Sequence, residues 1–333
     1  MHVTDLSTPA LVIDADALDR NLAAMASRLP GARLRPHVKA HKCTALAAAQ
    51  QAMGHRTFTC ATPREIVGMA AAGVGDDLLL ANETLDPGRL RAMAACVVLV
   101  TVAVDSDETV RAAARAGITS CLVDVDVGLP RCGVTPDRAG ALADRARAAG
   151  LDVRGVMGYE GHLMMVADRA ERTAAVAASM ELLLAAHADV GGDIVSAGGT
   201  GTFDLHANTG VTEVQAGSYA LMDTHYGKQA LPFEQAVFVI GTLISKAADR
   251  AVADVGLKAL GMDHGTPRVV DGSVWFCSDE HVTFAPDRRD VGVGDRVTVV
   301  PAHVDPTMAM HDAAWLVRDG EVIDRWPIDL RQW

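Results

Sequence analysis

"TFTCATPREIVGMAAAGVGDDLLLA", Thr57 to Ala81, decides the fold because it holds one complete strand–helix–strand unit. "TFTCA" is a short extended-looking run. Thr62 follows as a helix N-cap, Pro63 stands at the first helical position and Glu65 at the capping-box position. Helical spacing continues to Gly73, and "DLLLA" returns to a short apolar run.

The same grammar extends in both directions. Strand-like runs are "RLRPHVK" at 33, "TFTCA" at 57, "DLLLA" at 77, "VVLVTVA" at 97, "SCLVDVD" at 120, "VRGVMGY" at 153, "DIVSAG" at 193 and "EVQAGSY" at 213. Helical segments between them include "TALAAAQQAMG", "SDETVRAAARAG" and "TPDRAGALADRARAAG". Eight strands alternating with helices predict an α/β fold, a TIM-like (β/α)8 barrel. A doubly wound open sheet competes; the count of eight and the regular spacing favour the barrel. After about residue 230 strand-like runs follow one another, joined by turns such as "DG" and "GVGD", with no good helix candidate. The expected division is a barrel over 12–229 and a β-domain over 230–333 joined by 1–11. "PALVID", just before the barrel, is a candidate strand of that second domain.

The 333 residues carry 30 Lys and Arg against 42 Asp and Glu, a formal charge of −12. That balance argues against a nucleic-acid surface. No apolar run reads as a membrane span, and the N-terminus lacks the pattern of a signal peptide. The 6 cysteines form no CxxC pair and read as reduced core thiols of a cytoplasmic protein.

In a (β/α)8 barrel, functional groups sit at the C-terminal ends of the strands. Lys39 falls there on the first strand, in "LRPHVKAHK". By charge alone this stretch is a solvated basic patch; at a barrel mouth, desolvation frees a lysine as a nucleophile. Glycine-rich turns follow strands seven and eight, "SAGGTGT" and "QAGSY", where this fold usually holds phosphate. A mouth lysine with a phosphate grip points to pyridoxal 5'-phosphate.

Four stretches resemble the fold-type III pyridoxal-phosphate enzymes, in particular the D-threonine aldolase, 3-hydroxy-D-aspartate aldolase and D-serine dehydratase group, whose barrel is of the alanine racemase N-terminal type. They are "RPHVKAHK", "VDVDVGLPRCGV", the pair "GGTGTFD" and "VQAGSYALMD", and "PAHVDPTMAMHD". The likeness spans nearly the whole chain. It implies that Lys39 joins the cofactor and that Arg131 approaches the ring oxygen. Gly199, Thr200, Gly217, Ser218 and Tyr219 then line the phosphate loops. Tyr159 is a candidate to stack on the cofactor, Gln215 to lie near the pyridine nitrogen, and His162 to act as acid or base. His303 and Asp305, two apart in a strand-like segment, would face the same way and share a divalent ion. The aspartate makes a hard site, compatible with Mn²⁺, Mg²⁺, Co²⁺ or Zn²⁺. The "CSDEH" segment, with Asp279, Glu280 and His281, is a candidate site segment or a solvated turn, and His311 and Asp312 read as largely structural.

The resemblance implies an enzyme that cleaves D-β-hydroxy-α-amino acids to glycine and an aldehyde, using the metal as Lewis acid. The proton acceptor is His162, Lys39 or a metal-bound hydroxide. A D-serine or D-3-hydroxyaspartate dehydratase on the same scaffold is the alternative. A racemase would need a tyrosine from the β-domain, and Tyr226 is the last tyrosine in the chain. Relatives are head-to-tail homodimers acting on small-molecule amino acids, without nucleic-acid or membrane partners.

Overall fold

A computed structural model describes residues 1–287 and 291–333. The chain forms two compact units: 1–24, 40–46 and 218–329 in one, and 25–39, 47–217 and 330–333 in the other. The first contains β1 (Ala10–Asp14) and most of α1 (Ala15–Arg28), with α2 (Thr44–Ala52) beginning in it.

The second unit is the barrel. Its strands are β2 (Thr57–Cys60), β3 (Asp77–Leu80), β4 (Leu99–Val104), β5 (Ser120–Asp124), β6 (Asp152–Met157), β7 (Ile194–Ala197) and β8 (Glu213–Val214), all parallel and in sequential order. Between them run α3 (Pro63–Ala71), α4 (Pro87–Ala94), α5 (Asp107–Ala116), α6 (Pro136–Ala148) and α7 (Arg169–Val190). The N-cap works as the sequence predicts, since Thr62 Oγ1 accepts the Glu65 N–H at 3.2 Å, while the Glu65 carboxylate accepts from the Ala61 N–H at 2.6 Å, one residue before the cap; α5 ends on left-handed Gly117.

Seven strands, not eight, form the regular sheet, because "RLRPHVK" is not a strand. Its two ends belong to 3₁₀ turns, Gly31–Arg33 and Val38–Ala40, and Pro36 has no N–H to give a ladder. The segment still acts as the eighth stave. Leu34 bridges Val214, His37 bridges Thr59, and the amides of Arg35 and His37 donate to Val214 and Ala216. Buried Arg35 braces that end of the barrel: it donates to Glu213 at 2.8 Å and to both Asp77 carboxylate oxygens at 3.1 and 3.2 Å. Leu79, Ala103, Leu122 and Met157 form one core cluster from four successive strands. Helix α7 is long and apolar enough by composition to cross a membrane, but Val176, Met180, Leu183, Ala186 and Val190 recur at helical spacing and are buried, as in a core-facing helix.

The first unit is a nine-stranded sheet. β1 sits in its middle, antiparallel to β9 (Val237–Lys246) and parallel to β15 (Ala313–Arg318), so "PALVID" belongs to this sheet. The others are β10 (Ala251–Ala253), β11 (Arg268–Val269), β12 (Gly272–Cys277), β13 (Val282–Pro286), β14 (Arg296–Val300) and β16 (Glu321–Pro327). The "DG" turn between β15 and β16 places Asp319 at φ 51° and Gly320 at φ 79°, the left-handed pair a tight hairpin needs. One helix, α8 (Val304–Met310), interrupts the strands.

Candidate active site

Lys39 lies just beyond the last pairing of the first stave, where the His37 N–H donates to the Ala216 carbonyl at 3.1 Å. It is half-buried, and its own N–H approaches His37 Nδ1 at 3.5 Å. The stave thus delivers Lys39 to the end of the barrel where β7 and β8 finish. Gln215 follows β8; its side-chain amide donates to Ser196 Oγ at 2.9 Å, tying together two adjacent strand ends.

The "GYEGH" stretch after β6 gathers several predicted residues. The Arg131 guanidinium lies 5.5 Å from the Tyr159 ring centroid, within cation–π range. The same ring borders the glycine turn, since a Cβ at Gly199 would lie 3.4 Å from Tyr159 Cε2 and 2.9 Å from Met164 Sδ. At Gly201 a Cβ would lie 2.4 Å from the Met164 carbonyl oxygen. Gly201 has no room for a Cβ because main chain lies against it, whereas a Cβ at Gly199 would meet the flexible end of Met164. His162 is exposed, and its ring packs against Gly128, where a Cβ would lie 3.0 Å from Cε1. Buried Thr200 lies within the turn. A lysine at a stave end, an aromatic face carrying an arginine, and a glycine-rich turn fit a flat aldehyde cofactor with a phosphate tail.

The sequence missed an acidic group at the neighbouring strand ends. Glu83, Asp105 and Cys132 offer ligand atoms within 4.8 Å of one another. Burial and then Glu83 push the Asp124 carboxyl well up, and burial with Glu83 pushes the Cys132 thiol to about 11. Acids between apolar strand ends carry no sequence signal of convergence.

In the sheet unit, His303 and Asp305 are not in a strand. His303 is the N-cap of α8 with extended φ and ψ, and Asp305 sits in the first helical turn. Pro306 explains the change, because proline suits a helix's first turn and not a central strand. The two side chains nonetheless converge, with His303 Nε2 3.9 Å from Asp305 Oδ1. Two metal–ligand bonds of about 2.1 Å reach across that gap.

Asp263, unmarked in the sequence, orients His303: its carboxylate oxygens lie 2.9 and 2.8 Å from Nδ1. A carboxylate accepts, so Nδ1 is the donor in this contact and Nε2 is the nitrogen that faces Asp305. Burial raises the Asp263 pKa, but the His303 hydrogen bond and charge outweigh it, and the carboxyl stays below its usual value. The His264 ring stacks on His303 at 3.7 Å, and His225 lies 4.3 Å from His264. Burial, then the neighbouring His264 and Lys228, lower the His225 pKa. Buried Asp223 accepts the Val304 N–H at 2.9 Å and anchors the start of α8. This nitrogen and oxygen donor set fits a divalent ion.

The remaining predicted residues make the following contacts. The Ser218 hydroxyl donates to Asp305 at 3.4 Å. Tyr219 is fully buried, its ring 5.5 Å from that of Phe233, and Gly217 is buried in the same stretch. Asp279 and Glu280 form exposed ion pairs with Lys258, the solvated-turn reading of "CSDEH". His311 caps the end of α8 and donates from Nε2 to the Ala259 carbonyl at 2.9 Å, a structural contact.

Residues 13–225 match the family described as alanine racemase, N-terminal domain, and residues 236–317 match the putative serine dehydratase domain. A D-threonine aldolase of Arthrobacter sp is 38% identical over 98% of this chain and 93% of that protein. The chain belongs to the fold-type III pyridoxal-phosphate enzymes. A 3-hydroxy-D-aspartate aldolase of Paracoccus denitrificans is 33% identical over 99% of this chain and 94% of that protein. The crystal structure of D-threonine aldolase from Filomicrobium marinum superposes with a TM-score of 0.93 at 35% identity, covering 98% of this chain and 96% of that one. Family membership makes this chain an enzyme of a pyridoxal-phosphate-dependent family.

Proposed function

We propose that this enzyme is a pyridoxal-phosphate- and divalent-metal-dependent aldolase that cleaves D-β-hydroxy-α-amino acids, such as D-threonine or 3-hydroxy-D-aspartate, to glycine and an aldehyde. The observation that carries the reading is the His303–Asp305 pair with Asp263 behind it, in a chain similar along its length to aldolases. A hard nitrogen–oxygen site suits a metal that must bind a β-hydroxyl and acidify it.

Lys39 Nζ would hold the cofactor, with Arg131 and Tyr159 along its ring, Gln215 near its pyridine nitrogen, and Gly199, Thr200, Gly217, Ser218 and Tyr219 toward its phosphate. The cofactor, when bound, supplies the electron sink for the carbanion left when Cα–Cβ breaks. His303 Nε2 and Asp305 would hold the divalent ion, whose chemistry is that of a Lewis acid. The His162 imidazole takes the β-hydroxyl proton in this scheme. Its exposed ring, held against Gly128, supports that role. Six free cysteines accord with a cytoplasmic protein, and the expected assembly is a homodimer.

The deciding experiment incubates the purified enzyme with D-threonine and D-3-hydroxyaspartate, with and without chelator. Glycine and an aldehyde, lost on chelation and restored by Mn²⁺, support the aldolase. Ammonia and a 2-oxo acid would assign a dehydratase instead. Lys39→Ala should abolish the visible absorbance of the lysine-bound cofactor, and its persistence would sink the assignment of Lys39.

A further inference from the structure

Glu160 stands between Tyr159 and His162, and the chemistry proposed above does not use it. Its side chain and that of His206 are both 0% exposed, 3.0 Å apart. A buried carboxylate without partners would be neutralised or expelled. Here three donors converge on it. The Gly198 N–H reaches Oε2 at 3.1 Å, while the Thr202 hydroxyl and His206 Nε2 reach Oε1 at 2.6 and 3.0 Å. Burial pushes the Glu160 pKa up, but the His206 and Thr202 hydrogen bonds outweigh it and keep the group a carboxylate. His206 Nδ1 has no hydrogen-bond partner among the described residues, so the polar work of this imidazole is its contact with Glu160 and a longer one, 3.4 Å, to Thr202.

Gly198 and Thr202 bound the glycine turn. Gly198 has φ +84°, and a Cβ there would lie 2.8 Å from His206 Nε2, so the imidazole packs directly on the turn. Thr202 Oγ1 also accepts the Gly199 N–H at 3.3 Å. One carboxylate thus ties both ends of the turn. The Gly198 and Gly199 amides are spent inside it, and what the turn offers an anion is its shape.

We propose that Glu160, hydrogen-bonded by Gly198, Thr202 and His206, is a positioning residue that holds the 198–202 turn in the form that receives the cofactor's phosphate. The proposal rests on the cofactor assignment above. In Glu160→Gln the amide has one oxygen for three donors, so either the Gly198 N–H or the Thr202 and His206 pair loses its acceptor.

The test compares pyridoxal phosphate with pyridoxal, which keeps the aldehyde and lacks the phosphate. Each is titrated into the apoenzyme by visible absorbance, for wild type, Glu160→Gln, Thr202→Val and Thr202→Ser. Glu160→Gln and Thr202→Val should bind pyridoxal phosphate about tenfold or more weakly, the effect of losing a hydrogen bond to a buried charge. Their pyridoxal affinity should match wild type, and Thr202→Ser should restore the phosphate preference. Equal losses for both compounds would mark a general structural role and overturn the proposal, as would no loss. If Glu160→Gln does not fold, Thr202→Val carries the test. A wild type that binds neither compound would overturn the cofactor assignment, and the proposal with it; wild-type binding with unchanged variants overturns the proposal alone.

Discussion

Replacing Asp263 by alanine should weaken divalent-metal binding at the His303–Asp305 pair. The His303 Nδ1 proton is shared between both Asp263 oxygens, at 2.9 and 2.8 Å. Without that acceptor the imidazole loses both its fixed tautomer and its orientation, and some of the basicity of Nε2. Losing such a supporting carboxylate typically costs about 10- to 100-fold in metal affinity. The Asp263 side chain is 59% exposed, so water screens its charge and places the effect at the lower end, about tenfold or ~1.4 kcal/mol. Asp263→Asn keeps a carbonyl acceptor for the Nδ1–H and should lose only about threefold. The assay strips the holoenzyme with chelator and titrates Mn²⁺, following ion binding by electron paramagnetic resonance and glycine release in parallel. Cofactor absorbance should not change. An Asp263→Ala affinity equal to that of wild type would refute the reasoning that this carboxylate orients the ligand.

Further predictions concern the barrel. Gly201→Ala puts a Cβ 2.4 Å from a main-chain oxygen, so the turn must move, and pyridoxal-phosphate affinity should fall about tenfold or more by absorbance titration. Gly199→Ala meets the flexible end of Met164 and should be milder. Arg35→Met leaves buried Glu213 without its guanidinium partner, and urea unfolding should show a loss of about 3–5 kcal/mol. Asp77 is pushed up by burial but held below its ordinary value of 3.8 by hydrogen bonds and charge from Arg154 and Arg35. A depressed carboxylate stabilises the fold above that ordinary value and loses the contribution as pH falls through the lower folded one. Wild-type stability should therefore fall as pH drops below about 4, and the slope there should be shallower in Arg35→Met.

The barrel was legible because its signals are local. Thr62, Pro63 and Glu65 announce a helix start, and the structure begins α3 at Pro63. The first stave shows the limit of that reasoning: apolar alternation in "RLRPHVK" suggests a strand, while Pro36 denies it a ladder. Its place in the barrel comes instead from pairing with Val214 and Thr59, far away in sequence. The same residue type overturned the strand reading of "HVDPT", where Pro306 starts a helix and the convergence of His303 with Asp305 survives by another geometry. Similarity of motifs pointed to the residues; it did not supply their conformation.

The sequence by itself determined the alternation of strands and helices, the lysine at a stave end, the glycine turn and the His–Asp pair. Each depends on residues close together in the chain, where propensity, capping and the absence of a side chain act directly. Only the tertiary structure decided which distant groups support them. Asp263 reaches His303 across 40 residues, and Glu160 reaches Thr202 across 42 and His206 across 46. An acid in a loop looks solvated in sequence. Glu160 becomes a buried, ionised brace because folding brings it enough donors to outweigh the cost of leaving water, while Asp263 stays exposed and needs only His303 within reach.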